Sequence, residues 1–397
     1  MSRAKAPPPL PRAVIRRRVL VLLAPTLVAL ALAVVAMLVH RPTRVELVLT
    51  LDRFAATLAP YPSGQGWIEL INRGQVRSVR IDRLSRVGLV PASLEVLDGS
   101  WRTLATAGEL VLGPVPGSPG LAPAVTLRAA DEATPGSIKA VRALAGTLVA
   151  MELAAGAGAG PIWLTLDLAP NPDQGAIQDA DPAQVHLVFP GTLLLDADYL
   201  RLTAGLAGHP PPGVVAAGYS DSLSLRLRTE RIIAAQGTAQ GLVVQIEPAG
   251  SADTLLRDRQ IPVSAVDFTR QGPGGEREGS LIAPGTLSYP DLPGRAPLVL
   301  SATDAVSLGP IAKARIECLS LASLDGRTGL KLTLDAVASG VRVGPPGQPR
   351  DARLTWFEWL WDNPWLRILF IIAVGLFPTS LAGYRLWQAL RSPAGVS

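Results

Sequence analysis

Cysteine and histidine are almost absent from this chain of 397 residues. Cys318 is the only cysteine, and His40, His186 and His209 are the only histidines. One cysteine cannot form an intrachain disulfide, so any folded domain must be held by its own apolar core. The histidines stand far apart, and none lies at a metal-ligand spacing with cysteine or glutamate. The sequence therefore predicts neither a metal site nor another cofactor.

Aromatic residues make up only 5% of the chain, and half of its eight tryptophans fall within residues 356–365. Residues 365–387 carry charge only near their ends, at Arg367 and Arg385. At about 1.5 Å of rise per residue, a helix of this length crosses a hydrocarbon core of about 30 Å. We therefore expect a transmembrane helix over residues 365–387, followed by a short tail over residues 388–397.

Aromatic residues flank this expected span on both sides. Indole and phenol rings favour the headgroup region, because the ring is buried there while its N–H or O–H group stays hydrated. The predicted interface anchors are Trp356, Trp359, Trp361, Trp365, Tyr384 and Trp387. Small residues and a proline inside a span are typical of close helix packing. The predicted packing positions are Gly375, Pro378, Ser380 and Gly383.

A second apolar run of 21 uncharged residues occupies residues 19–39, behind the proline-rich and basic residues 1–18. A cleaved signal peptide is one interpretation, but its apolar region is usually only about 7 to 15 residues long. A retained transmembrane helix over residues 19–39 fits the length better. Residues 1–18 are then a cytoplasmic tail.

Basic residues concentrate at the two ends of the chain. Residues 1–18 hold six Lys or Arg, residues 365–397 hold three Arg, and all 32 acidic residues lie between these segments. Basic flanks of membrane spans stay in the cytoplasm. The sequence therefore predicts an integral membrane protein with both termini cytoplasmic and its main domain extracytoplasmic, which is periplasmic in a Gram-negative cell. The lipid bilayer is the predicted partner, and the positive net charge does not predict nucleic-acid binding.

Apolar side chains occupy every second position in residues 45–51, 162–168, 223–227 and 330–334. Successive side chains of a strand point to opposite faces, so this period predicts half-buried strands. Shorter strands are predicted at 67–71, 94–97, 110–112, 185–189, 242–246, 298–300 and 314–320. Many short strands separated by glycine and proline predict an all-β extracytoplasmic region of antiparallel sheets, in a sandwich or open barrel.

One accessory helix is predicted within this region. After Ser137, a suitable N-cap, apolar residues from Ile138 to Met151 recur at spacings of three and four. The glycine-rich residues 154–161 follow. We therefore expect a first β-rich domain over 45–153, including helix 138–153, and a second β-rich region over 161–350.

The tetrapeptide Pro-Gly-Thr-Leu occurs twice, at residues 190–193 and 284–287. A duplicated β domain would produce such a sequence repeat. A chance match is the alternative in a chain with 38 Gly and 36 Pro. The sequence leaves open whether the β region is one domain or a duplicated pair.

Five arginines lie within fourteen residues, opposed in that segment only by Asp82. They are Arg73, Arg77, Arg80, Arg83 and Arg86. One interpretation is a surface for an anionic partner, such as a headgroup, a polymer or an acidic protein patch. The other is an edge strand that charge protects against aggregation.

The sequence contains no recognisable catalytic constellation. We expect a binding or scaffold subunit of a larger bacterial-type envelope complex, whose spans pack against other membrane-protein subunits or against copies of itself. A homo-oligomeric pore of two-span subunits is the first alternative. An enzyme acting on polysaccharide or lipid is the second, with His186 or His209 as its only imidazole base.

Overall fold

The computed structural model gives the fold of most of the chain. It describes residues 35, 39–40, 42–61, 63, 66–71, 74–89, 93–96, 103–104, 110–114, 123–155, 161–170, 183–204, 222–228, 233–238, 240–249, 260–271, 276–292, 294–302, 304–324, 327–368, 370–372 and 384. The chain divides into two compact units. The β unit comprises Arg44–Pro290 and Pro297–Ala352, and the terminal unit comprises Met1–Thr43, Asp291–Ala296 and Arg353–Ser397.

Antiparallel strands account for most of the described residues. The first fourteen are β1 Thr43–Leu51, β2 Arg53–Leu58, β3 Trp67–Ile71, β4 Gly74–Asp82, β5 Leu84–Leu89, β6 Ser93–Val96, β7 Thr103–Leu104, β8 Leu110–Pro114, β9 Ala124–Ala129, β10 Gly136–Leu144, β11 Thr147–Ala155, β12 Ile162–Pro170, β13 Ala183–Val188 and β14 Thr192–Asp198. The others are β15 Leu200–Ala204, β16 Ser222–Arg228, β17 Ile233–Gly237, β18 Leu242–Pro248, β19 Ile261–Asp267, β20 Thr269–Gln271, β21 Arg277–Gly279, β22 Leu281–Ser288, β23 Leu298–Leu300, β24 Ala305–Leu308, β25 Ile311–Leu324, β26 Arg327–Ala338, β27 Val341–Gly344 and β28 Arg350–Asp351.

The alternating sequence pattern decides which face of each strand is buried. In β12, Leu164, Leu166 and Leu168 are fully buried, while the residues between them are only partly covered. The same alternation runs through β13 and β18. Phe54, Phe189 and Phe268 are the largest side chains enclosed by this core. The antiparallel β prediction therefore agrees with the structure.

Among the described residues, backbone pairing joins 26 strands into one continuous network, which we divide into two sheets. The first sheet runs β23–β22–β1–β26–β25–β19–β2–β11–β12–β18–β4–β9–β14–β16–β6–β7. The second sheet runs β3–β10–β13–β17–β5–β8–β15. The two join where the start of β10 also pairs with β4. Strands β24, β27 and β28 form a ribbon attached to β19, and β20 pairs with β21.

At three places a single residue forms a sharp turn, which we call a corner, between two strands that pair with different neighbouring strands. Asp52 separates β1 from β2, Arg83 separates β4 from β5, and Tyr199 separates β14 from β15. Arg83 and Tyr199 have positive φ values of 63° and 55°, which turn the backbone sharply between two strands. Strands that bend and switch sheets in this way form the corners of sandwiches whose sheets enclose one core.

The accessory helix predicted over residues 138–153 is wrong. Residues 136–155 form the two strands β10 and β11, separated by Ala145 and Gly146, which has a φ of 90°. Spacings of three and four arose because β10 contains a bulge between Ile138 and Ala140, which shifts the buried positions by one. Strand β10 pairs with β3, β4 and β13, whereas β11 pairs with β2 and β12, so the backbone hydrogen bonds of this segment are made to other strands.

The β unit continues across the boundary predicted at residues 154–161. Strands β11 and β12, on either side of it, pair over nine residues from Thr147–Pro170 to Ala155–Ile162. The repeated tetrapeptide also lies in two different settings. Gly191 has a φ of 92° just before β14, whereas Gly285 lies inside β22 against Leu49.

The terminal unit contains α1, Trp356–Asp362, which begins at a capping box. The Thr355 hydroxyl accepts a hydrogen bond from the Glu358 backbone N–H at 3.1 Å, and the Glu358 carboxylate accepts one from the Thr355 N–H at 2.9 Å. The helix stops at Asn363, because Pro364 follows. Residues 364–368 and 370–372 are again helical. Val39 lies beside the start of α1, since Trp356 donates its backbone N–H to the Val39 carbonyl.

The two transmembrane helices predicted from the sequence are corrected by the structure. Among the described residues, no helix combines the length and the apolar composition needed to cross a bilayer. The fold class with two flanking spans, the two-pass topology and the integral-membrane localisation with cytoplasmic termini are therefore wrong on this finding. High hydropathy favours an apolar environment for a side chain, but it does not set the length of a helix. Most of residues 19–39 and 373–387 lie outside the described residues.

Candidate functional site

The predicted arginine surface is distributed over two sheets. Arg77 and Arg80 belong to β4 in the first sheet, Arg83 forms the corner, and Arg86 belongs to β5 in the second sheet. Arg73 lies outside the described residues. Strand β4 is central, between β18 and β9, so the segment is not an edge strand there.

Carboxylates accompany three of these arginines. Arg80 lies 3.0 Å from Asp82 and 3.9 Å from Asp198. Arg83 lies 3.2 Å from Asp167 and also donates to the Gln240 carbonyl. Arg77 is 4.0 Å from Glu247. An anionic partner would have to displace these carboxylates, and the anionic-partner surface remains a prediction.

A row of polar side chains crosses the outer face of the second sheet. Strand register places one residue from each of five neighbouring strands directly opposite the next. In spatial order these are Glu69, Arg142, Gln184, Gln236 and Arg86, and we call them the polar row. Paired residues of an antiparallel sheet point to the same face, so the five side chains form one continuous surface. Their neighbours along each strand, such as Val141, Val185 and Ala235, are buried in the core.

One end of the polar row is fixed by an ion pair. Arg142 donates from Nε at 3.1 Å and from Nη2 at 2.7 Å to the same Glu69 oxygen. Both hydrogen bonds hold the guanidinium in place beside Gln184. The side-chain amides of Gln184 and Gln236 are half-buried and make no hydrogen bond to any residue that the structure describes.

His186 lies two residues after Gln184 in β13, so its side chain is on the same face as the polar row. Its cross-strand neighbours, Ala140 and Ala234, carry only methyl groups. Burial lowers the pKa of His186, the charge of Arg142 lowers it further, and Glu69 acts in the opposite direction. The imidazole is therefore favoured in its neutral form, which both donates and accepts hydrogen bonds.

Trp67 extends this face toward the sheet edge. It lies two residues before Glu69 in β3 and opposite Leu144, with 36% of its surface exposed. An indole offers a flat apolar platform beside the polar row. Of the residues on this face, the sequence pattern singled out only His186 and Arg86 as candidate functional residues. Alternation marks each residue as outward-facing, but nothing local aligns strands that lie far apart in the sequence.

The terminal unit provides a second candidate surface, residues 355–372, which we call the aromatic segment. None of the residues of α1 is buried. Trp356 and Trp359 meet edge to face at 5.8 Å, and Phe357 stacks on Trp361 at 5.9 Å. Trp365 is 77% exposed, and Ile368, Ile371 and Ile372 are also exposed.

The charged residues of the aromatic segment are Glu358, Asp362 and Arg367. Arg295 lies 3.1 Å from Asp362 and 3.9 Å from Glu358. The predicted anchors Trp356, Trp359, Trp361 and Trp365 belong to this segment, and Tyr384 is 53% exposed. Trp387 and the predicted packing positions Gly375, Pro378, Ser380 and Gly383 lie outside the described residues.

Comparisons with protein-family models, with curated proteins and with solved structures all gave no match, so the case for a function rests on these two surfaces.

Proposed function

We propose that this protein is a binding and scaffold subunit of a larger complex, and that its aromatic segment docks onto the surface of a lipid bilayer. The exposed apolar side chains of that segment carry the proposal. Trp361, Trp365 and Ile371 leave 43%, 77% and 54% of their surface in contact with solvent. Because apolar surface is costly to hydrate, a contiguous exposed patch of this kind marks an interaction site.

The exposed apolar residues beyond Pro364 share one side of the helix. Trp365, Ile368 and Ile372 follow each other at spacings of three and four, which place them on one face. Arg367 is exposed on the same stretch. An apolar face with a flanking basic residue suits a helix that lies in the plane of an interface.

Tryptophan favours a bilayer as the occupant over a groove of another protein. Glu358 and Asp362, which lie near Arg295, stand among the four indoles, and the uncharged sequence 368–383 follows them. This order matches the change from hydrated headgroups to hydrocarbon, in which an indole is most stable at the boundary. The proposed contact is made by the described part of the aromatic segment and lies along the bilayer surface.

The β unit supplies the scaffold part of the proposal. Its long antiparallel sheets hold charged and amide side chains in fixed cross-strand order, as the ion pairs of Arg80 and Arg142 illustrate. A rigid surface with such ordered polar groups is suited to binding a partner without rearrangement.

Vesicle flotation of the full chain tests the docking. The vesicles contain phosphatidylcholine and phosphatidylglycerol, and the test variant is Trp361→Ala/Trp365→Ala. We expect its bound fraction to fall about tenfold, because two large apolar side chains no longer enter the interface. The matched control, Trp67→Ala/Trp163→Ala in the β unit, should float as the unmodified protein does. Equal flotation of both variants would show that the aromatic segment does not contact lipid.

A further inference from the structure

We propose that the outer face of the second sheet binds a linear oligosaccharide, which lies across the strands along the polar row and stacks on Trp67. This site is separate from the aromatic segment and does not depend on bilayer docking. It involves side chains from the five strands β3, β10, β13, β17 and β5.

The dimensions of the polar row fit an extended chain of sugars. Neighbouring strands lie about 4.8 Å apart, so four strand spacings span about 19 Å. The row therefore presents a hydrogen-bonding group at regular intervals over several sugar rings. Because the register is fixed by backbone pairing, these intervals exist before any ligand binds.

The chemistry of the row fits hydroxyl groups. Each sugar hydroxyl donates one hydrogen bond and accepts others, and a glutamine amide does both through its N–H and carbonyl groups. Gln184 and Gln236 are adjacent, half-buried and without hydrogen-bond partners among the described residues. The neutral imidazole of His186 adds a further donor and acceptor on the same face.

The ends of the row add rigidity and an apolar platform. Glu69 holds Arg142 through two hydrogen bonds, so the guanidinium is oriented in advance. Trp67, two residues before Glu69, exposes its ring at the edge of the sheet. Sugar rings carry C–H groups on their faces and hydroxyls on their rims, and this surface offers an apolar platform beside a polar row.

The geometry disfavours two other classes of ligand. An extended peptide that adds a strand uses backbone groups at a sheet edge, whereas these groups project from the face. A nucleic acid requires a strongly basic surface, and here Glu69 neutralises Arg142 while both central residues are uncharged.

Calorimetric titration of the full chain tests the site, in a zwitterionic detergent that contains no sugar headgroup. The probes are cellohexaose, chitohexaose and a hexamer of guluronate. We expect at least one probe to bind, and Gln184→Ala/Gln236→Ala to weaken its Kd at least about tenfold through loss of two amides. Trp67→Ala should weaken it in the same direction.

Two matched controls separate the site from a general effect on the fold. Gln245 is a half-buried glutamine on the outer face of the first sheet, and Trp163 is a partly exposed tryptophan in β12. Gln245→Ala and Trp163→Ala should leave the Kd unchanged. The proposal is overturned if none of the three probes binds the unmodified chain, or if Gln184→Ala/Gln236→Ala binds as tightly as Gln245→Ala.

Discussion

At the scale of single residues, His186 occupies an environment that disfavours its charged form. Burial and the nearby charge of Arg142 lower its pKa below the ordinary value of 6.5, and Glu69 only partly offsets them. The folded protein therefore binds fewer protons at this site than the unfolded chain does. The stabilisation is fully present above pH 6.5 and is lost as the pH falls from 6.5 through the lower, folded-state pKa.

Replacing this histidine should reduce the pH dependence of stability. We expect the unmodified protein to lose more unfolding free energy than His186→Gln between about pH 7.5 and about pH 5.5. The difference should stay below about 1 kcal/mol, because solvent screens a ring that is only partly buried. Urea unfolding at the two pH values measures it. Equal losses in both proteins would contradict the assigned environment.

At the scale of elements, single-residue corners allow one strand to serve two sets of neighbours. Tyr199 lies between β14, which pairs with β9 and β16, and β15, which pairs with β8. Its φ of 55° lies in the left-handed region, where a side chain crowds the backbone. Asparagine tolerates this region better than β-branched residues do.

The corner at Tyr199 should therefore discriminate between substitutions of different backbone preference. We expect Tyr199→Val to be less stable than Tyr199→Asn by about 1–2 kcal/mol, because valine resists a positive φ. Comparing the two variants with each other cancels the loss of the aromatic ring, which both share. Equal midpoints in urea would mean that the corner conformation imposes no such strain.

At the scale of the whole molecule, the proposed subunit role predicts that the protein is bound to other protein chains in the cell. We expect extraction from the native host in mild detergent to give a complex that contains several different chains in fixed stoichiometry. The physical reason is the ordered polar surface of the β unit, which suits a partner protein. Measuring the mass of the native complex and identifying each of its chains tests this prediction. A species made only of identical copies would contradict the proposed role and favour a homo-oligomer.

Local patterns predicted the strands well and the remaining structure poorly. Alternation in residues 162–168 depends only on neighbours along the chain, and β12 buries the three leucines that it indicates. The helix predicted over residues 138–153 is wrong because a bulge at Lys139 interrupts that alternation and gives the apolar residues a helix-like spacing. The predicted spans are wrong because high hydropathy does not set helix length, and no helix among the described residues is long and apolar enough to cross a bilayer.

The sequence by itself determined the antiparallel β character of the protein, the apolar positions of its core and the tryptophans of the aromatic segment. These properties are set by side-chain chemistry and by spacing along the chain. Only the tertiary structure decided that β11 and β12 belong to one unit, that Arg80 and Arg86 lie in different sheets, and that Gln184 meets Gln236. Pairing between distant strands depends on register and on turns such as Tyr199, and no local spacing encodes it.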